Sequence, residues 1–170
     1  SQGSVPGYVL NQFSMDEYNG YFRIVTTENV THYFNEGGIA SAEQEKTRNH
    51  LVVLDESMNI VGSIEDLARG ESIYSARFMG DTGYFVTYRQ VDPLFTVDLS
   101  TPSEPKILSE LKVPGFSNYL HPFGDGLLLG FGQNSDEESG EIQGLKLSMF
   151  DTSDPAAVAE KHSELLGEKY

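Results

Sequence analysis

The chain has 170 residues, enough for one domain with a real core, and its 11 Lys and Arg against 26 Asp and Glu give a net charge of −15. Such a surface repels phosphate backbones and anionic lipid, which sets aside nucleic-acid binding. The absence of cysteine removes disulfides, thiolate chemistry and Cys-based zinc sites, and no run approaches the ~18 apolar residues of a membrane span.

Ser1-Gln2-Gly3-Ser4 has neither an initiator Met nor an apolar signal core and reads as a cut end, so a signal region is expected outside this chain. Helical periodicity is weak from here on. Short runs of β-branched and aromatic residues alternate with Gly, Asn, Asp and Pro, the mark of strands and hairpins. A first unit spans about 8–67. Tyr8 to Phe13 is its predicted first strand, Asn19-Gly20 a hairpin turn, and Tyr21 to Thr27 the second strand. A long loop from Glu28 to Asn49 precedes the third strand, Leu51 to Asp55, and Ile60 to Leu67 is the fourth.

The second unit, about 72–113, is the clearest. Ile73 to Met79, Tyr84 to Arg89, Leu94 to Asp98 and Ile107 to Val113 are four strands, punctuated by Gly80-Asp81-Thr82-Gly83, Asp92-Pro93 and Ser100-Thr101-Pro102. The third unit, about 117–166, repeats the pattern. Tyr119 to Phe123 and Leu127 to Phe131 flank Gly124-Asp125-Gly126, a polar loop runs from Gln133 to Gln143, and Leu145 to Asp151 and Val158 to Leu165 complete it.

Asp55, Asp98 and Asp151 close the three third strands. Recurrence at equivalent places makes them structural turn residues, their carboxylates accepting backbone amides in the following turn. Their separations of 98 − 55 = 43 and 151 − 98 = 53 match a blade-sized repeat of roughly 40–50 residues. The fold class is therefore all-β, with about three four-stranded antiparallel meanders of the β-propeller-blade kind. The variable loop between second and third strands points to one decorated face.

Particular phrases carry a resemblance across nearly the whole chain: 5–17 (VPGYVLNQFSMDE), Arg77 to Asp81, Gln90 to Phe95, Pro114 to Ser117, Tyr119 to Pro122 and Gly144 to Ser148. In these the chain resembles a secreted bacterial and archaeal family with a C-terminal β-propeller domain distantly related to WD40 repeats. The resemblance implies a propeller and a secreted or cell-surface location, and it implies no reaction. Members of that family are longer, and this chain is expected to be part of a larger propeller. Closure takes roughly 4–8 blades. Three blades leave two open flanks, so this segment is expected either to pair with a second copy as a homodimer or to stand as an open wedge of a larger domain.

Chemistry-bearing residues are sparse. His32, His50, His121 and His162 have no ligand-type spacing, and His121 is the one suited to lining a channel. Asp136, Glu137, Glu138 and Glu141 form an acidic loop without the ligand pattern of an EF-hand. No Gly-x-Ser-x-Gly elbow occurs, Gly124 and Gly126 belong to a turn without the helix and lysine of a phosphate loop, and Asn29-Val30-Thr31 is a glycosylation acceptor that a prokaryote leaves unused. No metal and no cofactor are expected.

What is left is a surface. Loops joining second to third strands share one end of the molecule with the connections between units, and Tyr33, Phe34, Arg89, Gln90, Asp92, Phe116, Tyr119 and His121 fall on or near it. Aromatic and arginine side chains together make a recognition face. The leading expectation is a non-enzymatic extracellular interaction or scaffold module presenting that face to a protein or a glycan. The rival is a polysaccharide-acting hydrolase or lyase, which needs Asp16, Glu17, Asp81 or Asp92 to converge in a pocket.

Overall fold

A computed structural model describes residues 1–29, 31–36, 39–44, 47–88, 92–136, 139 and 141–167, with the backbone alone for 31–36, 39–44 and 92. Fourteen strands are formed among them. β1 (Met15–Tyr18), β2 (Tyr21–Glu28), β3 (Thr31–Glu36), β4 (Ile39–Gln44), β5 (Arg48–Leu54) and β6 (Ile60–Leu67) belong to the first unit. β7 (Ser72–Met79), β8 (Thr82–Tyr88), β9 (Asp92–Asp98) and β10 (Lys106–Val113) make the second. β11 (Phe116–Pro122), β12 (Leu127–Ser135), β13 (Ile142–Asp151) and β14 (Ala159–Leu166) make the third. They assemble into three antiparallel four-stranded sheets, ordered β1-β2-β5-β6, β7-β8-β9-β10 and β11-β12-β13-β14.

Turn chemistry sets these meanders locally. Asn19 and Gly20 both adopt positive φ, 52° and 79°, the pair of left-handed residues that a two-residue hairpin demands, and Tyr18 pairs with Tyr21 across them. Buried runs identify the middle strands. Residues 23–27 of β2 and 83–87 of β8 are buried without a break, as expected of strands covered on both faces. The fourth strands are far more exposed: β10 alternates with solvent, and β14 is exposed along nearly its whole length.

Three expectations need correction in detail. The first strand is not Tyr8 to Phe13: Tyr8 alone exchanges backbone hydrogen bonds with Thr27, at 2.9 Å each way. The chain then leaves the sheet and makes a 3-10 turn at Gln12–Ser14, capped by the Asn11 side chain accepting the Phe13 amide at 2.9 Å. Only at Met15 does pairing with β2 resume. Second, the long loop after β2 contains a two-stranded ribbon, β3 against β4, with Thr31 opposite Gln44 and Glu36 opposite Ile39. Third, β12 and β13 run further than the loop expected between Gln133 and Gln143. The link shrinks to 136–141, where Asp136 N donates to Glu141 O at 2.9 Å.

The sheets stack face to face. Because side chains alternate along a strand, each inner strand sends one set of residues to each neighbouring sheet. Val25, Leu51 and Val53 of the first sheet meet Phe78, Phe85, Phe95 and Val97 of the second. The opposite face of the second sheet, with Tyr84, Val86 and Leu94, meets Leu120, Leu128 and Phe150 of the third. The outer face of the first sheet, Ile24, Val52 and Leu54, is packed by Val5, Met15, Phe22 and Met58. Polar ties cross both boundaries: the Arg23 guanidinium donates to Gly80 O at 2.6 Å, and the Ser75 hydroxyl to Ser117 O at 2.6 Å.

Candidate functional site

In each meander the link between second and third strands and the connection to the next unit emerge at the same end. That end holds the starts of β7 and β11 and the ends of β2 and β8. The aspartates that close the third strands lie at the opposite end. There, Asp55 Oδ1 accepts the amides of Ser57 and Asn59, at 2.9 Å each. Asp98 Oδ1 accepts the Ser100 amide at 2.9 Å, and Asp151 Oδ1 accepts both the amide and the hydroxyl of Ser153. These donors hold all three carboxyls below the usual value of 3.8. The Asn59 amide leads at Asp55, and the hydroxyls of Ser100 and Ser153 lead at the other two.

At the loop end the structure gathers an aromatic group. Phe116 opens β11, and its ring packs edge-on against Tyr74 at 5.1 Å and tilted against Tyr88 at 4.9 Å, while Tyr74 and Tyr88 meet at 5.3 Å. Residues of two sheets thus share one cluster. Tyr74 also borders a cavity of about 290 Å³ lined by Tyr8, Leu10, Thr27, Ser72, Ile73 and Asn118. Apolar rings with a few polar edges around a concave space are the usual make-up of a binding site. Tyr74 reaches this position through a bulge between Ile73 and Ser75 in the β7–β8 pairing, so strand periodicity alone does not reveal it. Tyr88 lies in the run read as a second strand, with nothing local to show that its ring meets Tyr74 and Phe116.

Other candidate residues are placed differently. Tyr119 and His121 stand on β11 opposite Phe131 and Leu129, further along this edge strand of the third sheet than Phe116, which opens it. The Tyr119 hydroxyl lies 3.0 Å from His121 Nδ1, and its ring meets Phe13 edge-on at 5.5 Å. The Arg77 guanidinium sits 5.0 Å from the same Phe13 ring. The 3-10 excursion therefore carries an aromatic from the first unit across to the third. Arg89 and Gln90 lie outside the described residues. For Tyr33 and Phe34, on β3, and for Asp92, at the start of β9, only the backbone is described.

Two carboxylates of the rival reading, Asp16 and Glu17, have occupations of their own. Asp16 takes a bidentate pair from Arg23, with Nε at 2.6 Å and Nη2 at 2.7 Å, a geometry that fixes both oxygens. Glu17 Oε1 accepts the Gly20 amide at 3.1 Å in the hairpin turn. Asp81 borders a separate cavity of about 200 Å³ beside Arg23, at the end of the molecule away from the aromatic cluster. In the acidic loop, Asp136 Oδ1 accepts the Ser139 amide and hydroxyl at 2.8 and 3.0 Å, while Glu137 and Glu138 lie outside the described residues. His50 pairs with Glu28 at 3.0 Å. Among the described residues, no group of three or more His, Asp or Glu gathers to hold a metal ion, and no helix is long and apolar enough to cross a membrane.

Comparison with known proteins adds the following. A family model described as a beta propeller domain matches residues 1–170. An uncharacterised protein of Methanocaldococcus jannaschii is 44% identical over 152 residues, covering 89% of this chain and 22% of its own length. One from Archaeoglobus fulgidus, also uncharacterised, is 45% identical over 165 residues, covering 97% of this chain and 23% of its own. The chain thus spans less than a quarter of the length of the curated relatives it matches.

Proposed function

The chain belongs to the β-propeller domain family, and on that premise we propose that it is a non-enzymatic interaction module, secreted or held at the cell surface, that presents its loop end to a protein or a glycan. The observation carrying this reading is the cluster of Tyr74, Tyr88 and Phe116 beside the 290 Å³ cavity. Aromatic side chains there offer large contact area with few rotatable bonds, and they serve the apolar face of a sugar ring as well as an apolar peptide side chain. The bidentate hold of Arg23 on Asp16 and the turn role of Glu17 support a surface without turnover. The alternative of a polysaccharide hydrolase or lyase draws support only from the acidic composition and from the use other propellers make of their channels.

The test is a panel of immobilised glycans and peptides, probed with the protein and with Tyr74→Ala and Phe116→Ala variants of unchanged thermal unfolding. Binding that weakens at least about tenfold in both variants, as for interface anchors of this type, is the expected result. Binding indifferent to both substitutions would overturn the placement of the site. Release of shortened products from a panel glycan, abolished by Asp81→Asn, would establish the hydrolase or lyase instead.

A further inference from the structure

The first strands of the later two units, β7 and β11, are edges of their sheets and lie against each other, and the 3-10 turn at Gln12–Ser14 packs on β7. These segments share a composition unlike the rest of the chain. Of the 26 Asp and Glu, none falls in 1–15, 72–80 or 113–124. A molecule of net charge −15 thus keeps its carboxylates out of one region. Two basic side chains, Arg77 and His121, stand there.

Arg77 is half-buried on β7, with its guanidinium over the Phe13 ring at 5.0 Å from the centroid. A ring contact engages the flat face of a guanidinium and leaves its N–H donors available. Among the described residues no hydrogen bond or ion pair takes them up. Arg23 is the contrast: it too lies near aromatic rings, yet its donors go to Asp16 and to Gly80 O. A guanidinium partly removed from water without an anion is an incomplete interaction. On its other side Phe13 meets Tyr119 edge-on, and the hydroxyl of Tyr119 lies 3.0 Å from His121 Nδ1. Both Tyr119 and His121 are exposed, and among the described residues His121 Nε2 has no partner.

We propose that Arg77, with Phe13, Tyr119 and His121, forms a subsite for a uronic acid residue of a glycan, its carboxylate held by the Arg77 fork. The subsite rests on the glycan form of the reading above and names the class of sugar. A carboxylate is planar and matches a guanidinium in a bidentate pair. The rest of the sugar offers an apolar ring face to Tyr119 and hydroxyls to the Tyr119 oxygen and His121. A single charge suits the site, because the field of a −15 molecule opposes a phosphate dianion more strongly than a carboxylate. An Asp or Glu side chain of a protein meets the fork but brings no ring face for Tyr119. Arg77 stands three residues along β7 from Tyr74, roughly 10 Å by strand rise, so one oligosaccharide can occupy the subsite and the cavity beside Tyr74 together.

The test titrates the protein with oligosaccharides containing glucuronate, galacturonate or mannuronate, each beside its carboxyl-reduced form, in which the uronate has become the neutral hexose. An acidic peptide and inorganic phosphate serve as competitors, and Arg77→Gln and Arg77→Lys variants of unchanged thermal unfolding are compared. At least one uronate oligosaccharide is expected to bind at least about tenfold more tightly than its reduced form, as a charge-assisted bidentate pair allows. Arg77→Gln should abolish that preference and leave binding of the reduced form unchanged. Arg77→Lys, which keeps the charge without the fork, should restore only part of it. Equal affinity for acidic and reduced forms, or a preference that survives Arg77→Gln, would overturn the subsite and leave the glycan reading standing. Displacement of every uronate oligosaccharide by a lower concentration of phosphate or of the acidic peptide would overturn it in favour of that anion. Failure of every glycan to bind, acidic or neutral, would remove the glycan reading and the subsite with it.

Discussion

Arg23 shows what a single residue does here that its neighbours in sequence do not announce. It stands in the middle of an apolar strand, almost fully buried, with Asp16 on its fork, the Gly80 carbonyl on its remaining nitrogen and the Tyr18 and Phe78 rings about 5 Å from its guanidinium. Buried charge is tolerated only with partners of this quality, and one of them lies 57 positions away. By contrast, Asp55, Asp98 and Asp151 are legible from sequence because the groups they bind lie two to four residues on. Their lowered pKa has a direct consequence for stability. Each carboxyl sits below 3.8 in the fold, so the unfolded chain takes up protons first as the medium is acidified. The stabilisation these groups give is therefore complete above about pH 4 and is lost as pH falls through their depressed native values. Urea midpoints followed from pH 7 to pH 2 should show that acid limb. Asp151→Asn, which keeps an acceptor oxygen but has no proton to bind, should make the limb shallower; an unchanged limb would count against the linkage.

Among the elements, the second and third strands, their apolar runs and most turns could be read directly, since alternation and Gly, Asn and Asp signals act within a few residues. The first strand of the first unit could not. Tyr8 to Phe13 has strand-like composition, yet Asn11 caps a 3-10 turn and Phe13 finds Tyr119 and Arg77 outside the sheet. Those partners are supplied by other units, and they outweigh local preference. The same holds for Asn49 at the start of β5, which is wholly buried. Its amide donates to Leu67 O and Glu71 O, both at 2.9 Å, and its oxygen accepts the Thr27 hydroxyl at 2.9 Å. It thereby ties the first sheet to the crossover leading to the second. Asn49→Leu removes all three of these side-chain hydrogen bonds at a buried site, at a cost of about 1–3 kcal/mol. Chemical denaturation should register that loss, and hydrogen exchange at the Gly70 amide, which donates to Thr47 O in the same crossover, should quicken.

At the level of the whole molecule, the second sheet is the keystone, because only its two faces both meet another sheet of the described structure. Phe85 lies at the centre of one of them, fully buried against Phe78 with ring centroids 5.4 Å apart. Phe85→Ala is expected to cost about 3–5 kcal/mol through lost burial and the cavity left behind. Unfolding followed by tyrosine fluorescence and by far-UV circular dichroism should then shift together. A change confined to one probe would show that the sheets do not unfold as one cooperative unit.

The amino-acid order by itself determined the all-β class, the threefold repetition, the strand pairs within the second and third meanders and the aspartate turns. All of these depend on two-residue alternation and on turn chemistry that acts over a handful of positions. Only the tertiary structure decided the bulge that carries Tyr74 to the aromatic cluster, the excursion of Phe13, the partners of Arg23 and Asn49, and which face of each sheet meets which neighbour. Those features arise where surfaces from distant parts of the chain compete for the same side chain, and the outcome is set by packing and hydrogen-bond satisfaction between sheets rather than by any local preference.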